Sequence, residues 1–337
     1  MKQPVVTVFG GSGFLGRSLV KRLAKAGYQV RVAVRNIEGA QYLKILGDTG
    51  QIVPWPADIN QPEQVSAAVN GADMVVNLVG ILFESGRQRF KNIHELGAKI
   101  VAEKAQKAGV KRLVHVSAIG AEHDSLSEYG RSKAAGIKSI KSIFPNASFV
   151  RPSVIFGAND KFFNLFAGLT RLTFALPVFG CPSTPRIELF PEGGLISFDF
   201  YGNGGTKLQP VYVGDVANAI IRILSNIETS GQTFDLGGPK IYSFRDLMKL
   251  LLEVTGRSRL LVPIPFSLAK IFAWFFEFLP NPLLTIDQVN SLKHDNVASK
   301  KNPGFNELGI IPTTAEAILP TYLDRFRTPA TKAFHKA

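Results

Sequence analysis

From Val5 to Gly16 the chain reads VVTVFGGSGFLG, an apolar, β-branched run that halts at Gly10 and gives way at once to helical periodicity. A buried strand, a tight turn and an amphipathic helix satisfy that order. In the following segment Phe14, Leu15, Leu19, Val20 and Leu23 fall on one helical face, Arg17, Lys21, Arg22 and Lys25 on the other, and Gly27 supplies the stop. Two glycine registers overlap in the turn: Gly11-Ser12-Gly13-Phe14-Leu15-Gly16 is a G-x-G-x-x-G, while Gly10, Gly13 and Gly16 recur at every third position. Glycines there permit the turn, leave backbone bare where a pyrophosphate must touch it, and let helix and strand approach. The helix N-terminus adds unpaired N–H groups and the positive end of its dipole. A dinucleotide-binding turn is therefore expected over residues 10–16.

The same alternation continues to Arg151. Strands are expected at Pro4–Phe9, Tyr28–Val34, Gln51–Trp55, Asp73–Val79, Lys111–Ser117 and Ala147–Arg151, with helices near Phe14–Ala26, Pro62–Val69, Asn92–Ala108 and Glu128–Ile143. The runs VVTVF, MVVNLV and RLVHVS are almost wholly apolar, as strands covered on both faces require. This predicts an α/β chain with a Rossmann, doubly wound parallel sheet of about seven strands. After Arg151 proline and glycine become frequent, and Leu176–Gly205 reads as loop and hairpin. Pro210–Val213, a helix over Asp215–Asn226 and a strand at Thr233–Leu236 then bring the chain back toward the first sheet. The expected domains are 1–151 with a return at about 210–238, a smaller, mainly helical domain over 152–209 and 239–330, and a tail at 331–337.

Ligands of such sheets lie beyond the carboxyl ends of the strands. The second strand ends in Val34-Arg35-Asn36, where an acidic residue would hold the ribose 2′-hydroxyl of NAD. Arg35 can instead pair with a 2′-phosphate through its planar donor fork, which favours NADP(H) over NAD(H). Its plainer reading is a solvated arginine at a strand end, and nearby Glu38 is the residue that would reverse the preference. Asp58 and Ile59 follow the third strand, and Asn77, Val79 and Gly80 end the fourth. Each set reads either as cofactor contact or as turn.

Tyr129 and Lys133 stand four apart in a predicted helix and so share a face. A tyrosine serves as acid or base near neutrality only where a neighbouring cation favours phenolate, and Lys133 is positioned to do so, although such a spacing also arises by chance. Ser117 ends the strand before this helix, where its hydroxyl could bond a substrate carbonyl.

Taken in order, the glycine turn, Asp58, the NLVG of Asn77–Gly80, Asn92, Ser117, Tyr129 to Lys133 and Arg151-Pro152-Ser153 with the following IFG resemble an extended or atypical short-chain dehydrogenase/reductase, of the NAD-dependent epimerase/dehydratase kind. That resemblance implies cofactor contacts at all of these strand ends, Pro152 included, and catalytic roles for Tyr129, Lys133 and Ser117. The later segments QPVYVGDVA (Gln209–Ala217), TFDLGG, Ile286–Lys293 and NELGI (Asn306–Ile310) are similar, more narrowly, to the NADPH-binding accessory subunit of respiratory complex I and its bacterial relatives. This implies complex I subunits as partners and a nucleotide held structurally, with little turnover. Active extended members commonly place the catalytic serine one or two positions past the strand-end serine, where this chain has Ala118 and Ile119. Ser117 then only positions cofactor. The alternative is a working oxidoreductase or epimerase on a nucleotide sugar, quinone precursor or lipid. The stretch 179–206 is longer than the accessory subunit would require.

Composition narrows the setting. One cysteine, Cys181, excludes an internal disulfide framework, and five scattered histidines without ligand spacing argue against a metal site. The formal charge of +13 is spread along the chain without RGG, RNP-like or zinc-finger patterns, which excludes nucleic acid and leaves a phosphate-rich cofactor and an anionic membrane surface or partner. No secretory leader and no spanning segment are read. Phe266–Leu279, FSLAKIFAWFFEFL, is too short to cross a bilayer and has Ser267, Lys270 and Glu277 on one narrow stripe. It reads as a helix in the membrane interface, against a membrane subunit, or buried in the smaller domain. The expected location is cytoplasmic, peripheral on the inner face of a bacterial inner membrane, or the matrix side in a mitochondrion.

Overall fold

The computed structural model describes residues 3–189 and 196–328. The tail expected at 331–337 and the middle of the long 179–206 stretch lie outside the described residues. In chain order the first elements are β1 (Val5–Phe9), α1 (Phe14–Lys25), β2 (Gln29–Val34), β3 (Ile52–Pro56), α2 (Pro62–Val69), β4 (Met74–Asn77), a π-helical turn at Lys91–Leu96 running into α3 (Gly97–Lys107), β5 (Arg112–Val116), α4 (Glu128–Ile143) and β6 (Ser148–Pro152). There follow β7 (Ile155–Phe156), α5 (Phe162–Leu172), β8 (Ala175–Phe179), β9 (Arg186–Leu189), β10 (Ile196–Asp199), β11 (Lys207–Leu208), β12 (Val211–Tyr212), α6 (Val213–Ser225), β13 (Thr233–Leu236), β14 (Tyr242–Ser243), α7 (Phe244–Thr255), β15 (Leu260–Ile264), α8 (Phe266–Phe276), α9 (Ile286–Ser291) and α10 (Ala315–Leu323).

Seven strands form one parallel sheet in the order β13-β6-β5-β4-β1-β2-β3. This is the doubly wound Rossmann architecture that the alternation predicts. Strand order reverses at β1, which has β2 on one side and β4 on the other, so Phe9 lies beside both Ala33 and Asn77. A crevice at that switch point is where such sheets take ligands. Val6, Val8 and Phe9 are fully buried, which is why the strand carries no polar face beyond Thr7. The Thr7 hydroxyl donates to the Ala68 carbonyl at 2.8 Å, satisfying the one polar side chain buried there. Arg112 donates to the carbonyls of Ile223, Asn226 and Ile227, closing the C-terminal end of α6.

The chain divides into two compact units. The first comprises residues up to Pro152, Val213–Leu236 and Ala298–Pro312. The last segment, which the sequence pattern assigned to the smaller domain, is tied to β13 through Asp235. The Asp235 N–H donates to the Pro303 carbonyl at 3.0 Å, and its carboxylate accepts from Asn302 Nδ2 at 3.0 Å. Arg151 Nε is 3.1 Å from the same buried carboxylate, at an angle outside hydrogen bonding.

The second unit holds Ser153–Tyr212, Gly237–Val297 and the segment from Thr313. Its strands form short two-stranded sheets, β8 with β15, β9 with β10, β11 with β14 and β7 with β12. Its core is aromatic: Phe162, Phe166 and Phe179 set their rings edge-on against Phe244. Helix α7 starts at a capping box of Ser243 and Asp246 and stops at Gly256 in the left-handed conformation, φ +60°. Helix α8 buries only Ala269 and Ala273, which rules out the fully buried reading of Phe266–Leu279. No helix among the described residues is long and apolar enough to cross a membrane.

Candidate dinucleotide site

The glycines at the head of α1 are fixed by close approach. A Cβ on Gly11 would stand 2.6 Å from Val32 Cγ1, and one on Gly16 would stand 2.6 Å from the Gly11 Cα. Gly10 has φ +77°, a conformation that side-chain-bearing residues rarely take, and its carbonyl accepts from the Gly13 N–H at 3.0 Å. Gly13 differs: an added Cβ would meet only the Gly10 carbonyl, at 3.2 Å, so its outer side is open. No side chain caps α1 and no acid sits in its first turn, leaving the N–H groups of Phe14, Leu15 and Gly16 directed out of the helix end. Tyr42, which the sequence did not single out, donates its hydroxyl to the Ser12 carbonyl at 3.1 Å.

The other strand ends fall as follows. Arg35 is exposed one residue past β2. Asp58 Oδ1 accepts from the Asn60 N–H at 2.9 Å, an Asx turn, while Ile59 is buried in the core and packs on Gly97. Asn77 Oδ1 accepts from the Val79 N–H at 3.0 Å, yet its buried Nδ2 has no partner within the protein. The Ser117 N–H donates to the Val150 carbonyl at 2.8 Å, and the buried Ser117 hydroxyl also lacks a partner. The Pro152 carbonyl accepts from the Ile119 N–H at 3.1 Å, fixing the Ala118-Ile119 turn against β6.

Lys133 and Tyr129 do converge on this end of the sheet. The Lys133 ammonium donates to the Val116 carbonyl at 3.3 Å and lies 6.0 Å from the Tyr129 ring centroid. Gly80 lies against the same group: a Cβ there would stand 2.9 Å from Lys133 Nζ and 3.5 Å from His94 Nε2. His94, absent from the sequence-based set, holds the group together from the π-helical turn. Its Nε2 accepts from the Ile81 N–H at 3.0 Å, so Nδ1 carries the proton and donates to Ser132 Oγ at 2.9 Å. Ser132 in turn donates to the Tyr129 carbonyl at 2.8 Å. The His94, Phe90 and Tyr129 rings pack with centroids 5.4 to 6.0 Å apart. Gly136 leaves room for the His94 carbonyl against α4. Only a π turn's extra residue, invisible in sequence periodicity, puts His94 here.

Burial dominates the electrostatics. It pushes the Tyr129 phenol up to about 12 and the Lys133 ammonium down to about 8. Burial, then the charges of Lys133 and His115, hold His94 down at about 2; burial and Lys133 hold His115 at about 3. Both histidines are neutral, and the cluster's positive charge rests on Lys133. Desolvation of the phenolate is the cause that sets the direction at Tyr129, upward. The residues otherwise fit a dinucleotide: a glycine cradle with one open side, a helix N-terminus free of acids, two buried polar groups with no protein partner, and one buried ammonium.

A family model described as NAD(P)H-binding (NAD_binding_10) matches residues 10–146, so this part of the chain is an NAD(P)-binding domain. In fold the chain resembles a nucleoside-diphosphate-sugar epimerase from Staphylococcus aureus, with a TM-score of 0.68 at 16% identity over 94% of this chain and 99% of that one. In sequence it is 31% identical to the mitochondrial NADH dehydrogenase (ubiquinone) 1 alpha subcomplex subunit 9 of Arabidopsis thaliana, over 96% of this chain and 78% of that protein. It is 33% identical to the subunit of the same name from Mus musculus, over 96% of this chain and 81% of that protein. Likeness at that level over nearly the whole length covers the glycine turn and the second unit alike, and the chain belongs to the family of NADH dehydrogenase (ubiquinone) 1 alpha subcomplex subunit 9.

Proposed function

We propose that this protein is an accessory subunit of a membrane-associated NADH:quinone oxidoreductase, respiratory complex I, and that it holds NADP(H) as a structural group. It attaches peripherally, on the cytoplasmic face of a bacterial inner membrane or on the matrix side of a mitochondrial one, with complex I subunits and an anionic membrane surface as neighbours. The observation that carries this reading is the similarity over 96% of the chain to subunits whose names assign them to that enzyme. The N–H groups of Phe14, Leu15 and Gly16 would hold the pyrophosphate, Asn77, Ser117 and Lys133 would bond the nicotinamide ribose end, and Arg35 would select the 2′-phosphate. When bound, the nicotinamide supplies hydride chemistry. Holding rather than turnover is supported by Ala118 and Ile119 beyond Ser117.

The test is a native gel of gently solubilised membranes. Co-migration of the chain with NADH:quinone reductase activity is expected, together with NADPH retained through purification and unchanged by a panel of carbonyl and alcohol substrates. Free migration would overturn the subunit assignment, and steady NADPH oxidation by any one substrate would overturn the structural role of the nucleotide.

A further inference from the structure

Helix α8 presents to solvent what most helices bury. Trp274, Phe275 and Phe278 are 51%, 59% and 72% exposed, and Ile271, Phe272 and Leu279 are exposed beside them. Trp274 packs edge-on with both Phe275 and Phe278, so the surface is an ordered aromatic cluster. Contiguous apolar surface of this kind marks a contact site.

Charge at the foot of the helix identifies the occupant. Phe266, the first residue of α8, lines a cavity of about 290 Å³ together with Tyr201, Thr206, Lys293 and one acid, Asp295. Lys270, one turn further along, lies against Lys293, close enough for the two side chains to contact, and neither forms an ion pair with a carboxylate among the described residues. The charge of Lys270 is the first cause holding the Lys293 ammonium below its ordinary range. Two ammoniums in contact repel unless a shared anion joins them. The nearby acid Asp295 accepts instead from the Lys207 N–H, at 2.8 Å.

An anion beside an exposed aromatic helix describes one chemistry, the headgroup phosphate of an acidic phospholipid whose acyl chains take the apolar face. We infer that Lys270 and Lys293 form a headgroup site for an anionic phospholipid, with Trp274 and Phe275 of α8 and Phe278 just beyond it lying in the membrane interface. This rests on the peripheral attachment proposed above and names its contact.

The test floats the full-length, nucleotide-loaded protein with phosphatidylcholine vesicles, with or without phosphatidylglycerol. Phosphatidylglycerol should strengthen binding, and Lys270→Gln with Lys293→Gln should weaken it about 30-fold, a factor of about five for each lysine near the surface. The same variant should leave binding to phosphatidylcholine alone and nucleotide retention unchanged, and Lys270→Arg with Lys293→Arg should restore wild-type behaviour. Trp274→Ser with Phe278→Ser should weaken binding to both vesicle types. Equal flotation of wild type and the glutamine variant would overturn the inference, and so would full displacement by millimolar inorganic phosphate, which would make the pair a free-phosphate site. Absence of flotation with either vesicle, in a chain that still co-migrates with quinone reductase, would assign α8 to a protein neighbour and leave the subunit reading intact.

Discussion

Gly11 and Gly16 at the head of α1 are enclosed so tightly that one added carbon would stand 2.6 Å from a neighbour, whereas α8 packs on its own unit through two alanines and leaves Phe275 59% exposed. The first region spends its sequence on internal fit. Its side chains are small or absent because backbone, strand and ligand must meet there, and its tolerance for change is low. The second places its largest side chains where they add little to folding, so its sequence is explained by what lies outside the chain. Substitutions should therefore separate stability from attachment. Gly16→Val should cost about 3 kcal/mol or more through overpacking against the Gly11 backbone, with loss of nucleotide. Phe275→Ser with Phe278→Ser should change stability by no more than about 0.5 kcal/mol per site. Urea unfolding of the two variants measures both effects, and a strongly destabilised α8 variant would break the comparison.

Lys133 sharpens it from the interior side. Its ammonium is buried and held at about 8, against an ordinary 10.5. Between those values the unfolded chain binds a proton that the folded chain has lost, so stability of the nucleotide-free protein should rise as pH goes from 8 to 10; it is not a group whose folding contribution is lost there. The full effect is of order 2–4 kcal/mol at about 1.4 kcal/mol per unit. Nucleotide affinity should move the opposite way and fall above pH 8, because the proposed bonds to the ribose need the ammonium. Thermal unfolding and NADPH titration over that range check the two signs, and Lys133→Met should flatten both. Parallel rather than opposed trends would remove Lys133 from the site.

These contrasts also account for what could be read in advance. The seven-stranded sheet was legible because its strands are continuous apolar runs and its first turn has glycines at fixed spacing. Gly80 reads as a strand end, but its approach to the Lys133 ammonium, 2.9 Å from where a Cβ would lie, depends on a residue 53 positions away. His94 was missed because a π turn leaves no period to count and because a lone histidine carries no ligand spacing. The direction of the Tyr129 shift is not legible in sequence for a physical reason. Spacing reports that a lysine is near, but not that both groups are fully desolvated, and here burial is the larger effect. The return of 298–312 to the first unit is marked by Asp235, the one acid within the short strand TFDL.

The proposed preference for NADP(H) rests on an exposed group, and the expected effect is correspondingly smaller. Arg35 contributes nothing to the core, so Arg35→Ala should leave unfolding unchanged while weakening NADPH about tenfold or more, the usual scale of a lost charge-assisted pair. NADH binding should stay within about twofold. Equal losses for the two nucleotides, read by equilibrium titration, would return Arg35 to the role of a solvated strand end and leave NAD(H) as the natural ligand.

The smallest effect is expected at the residue that sequence marked most clearly for catalysis. Tyr129 packs its ring on His94 and Phe90, and burial keeps its hydroxyl protonated far above neutrality. Tyr129→Phe keeps the ring and its packing and removes only the hydroxyl. If the site holds a nucleotide without turning it over, the substitution should change NADPH affinity by about threefold at most, the scale of one net hydrogen bond. It should leave membrane NADH:quinone reductase activity as it was. An enzyme using Tyr129 as its acid or base would instead lose on the order of 100-fold or more in rate at unchanged affinity. That separation of rate from affinity would convert the first unit from a scaffold around a nucleotide into an active site.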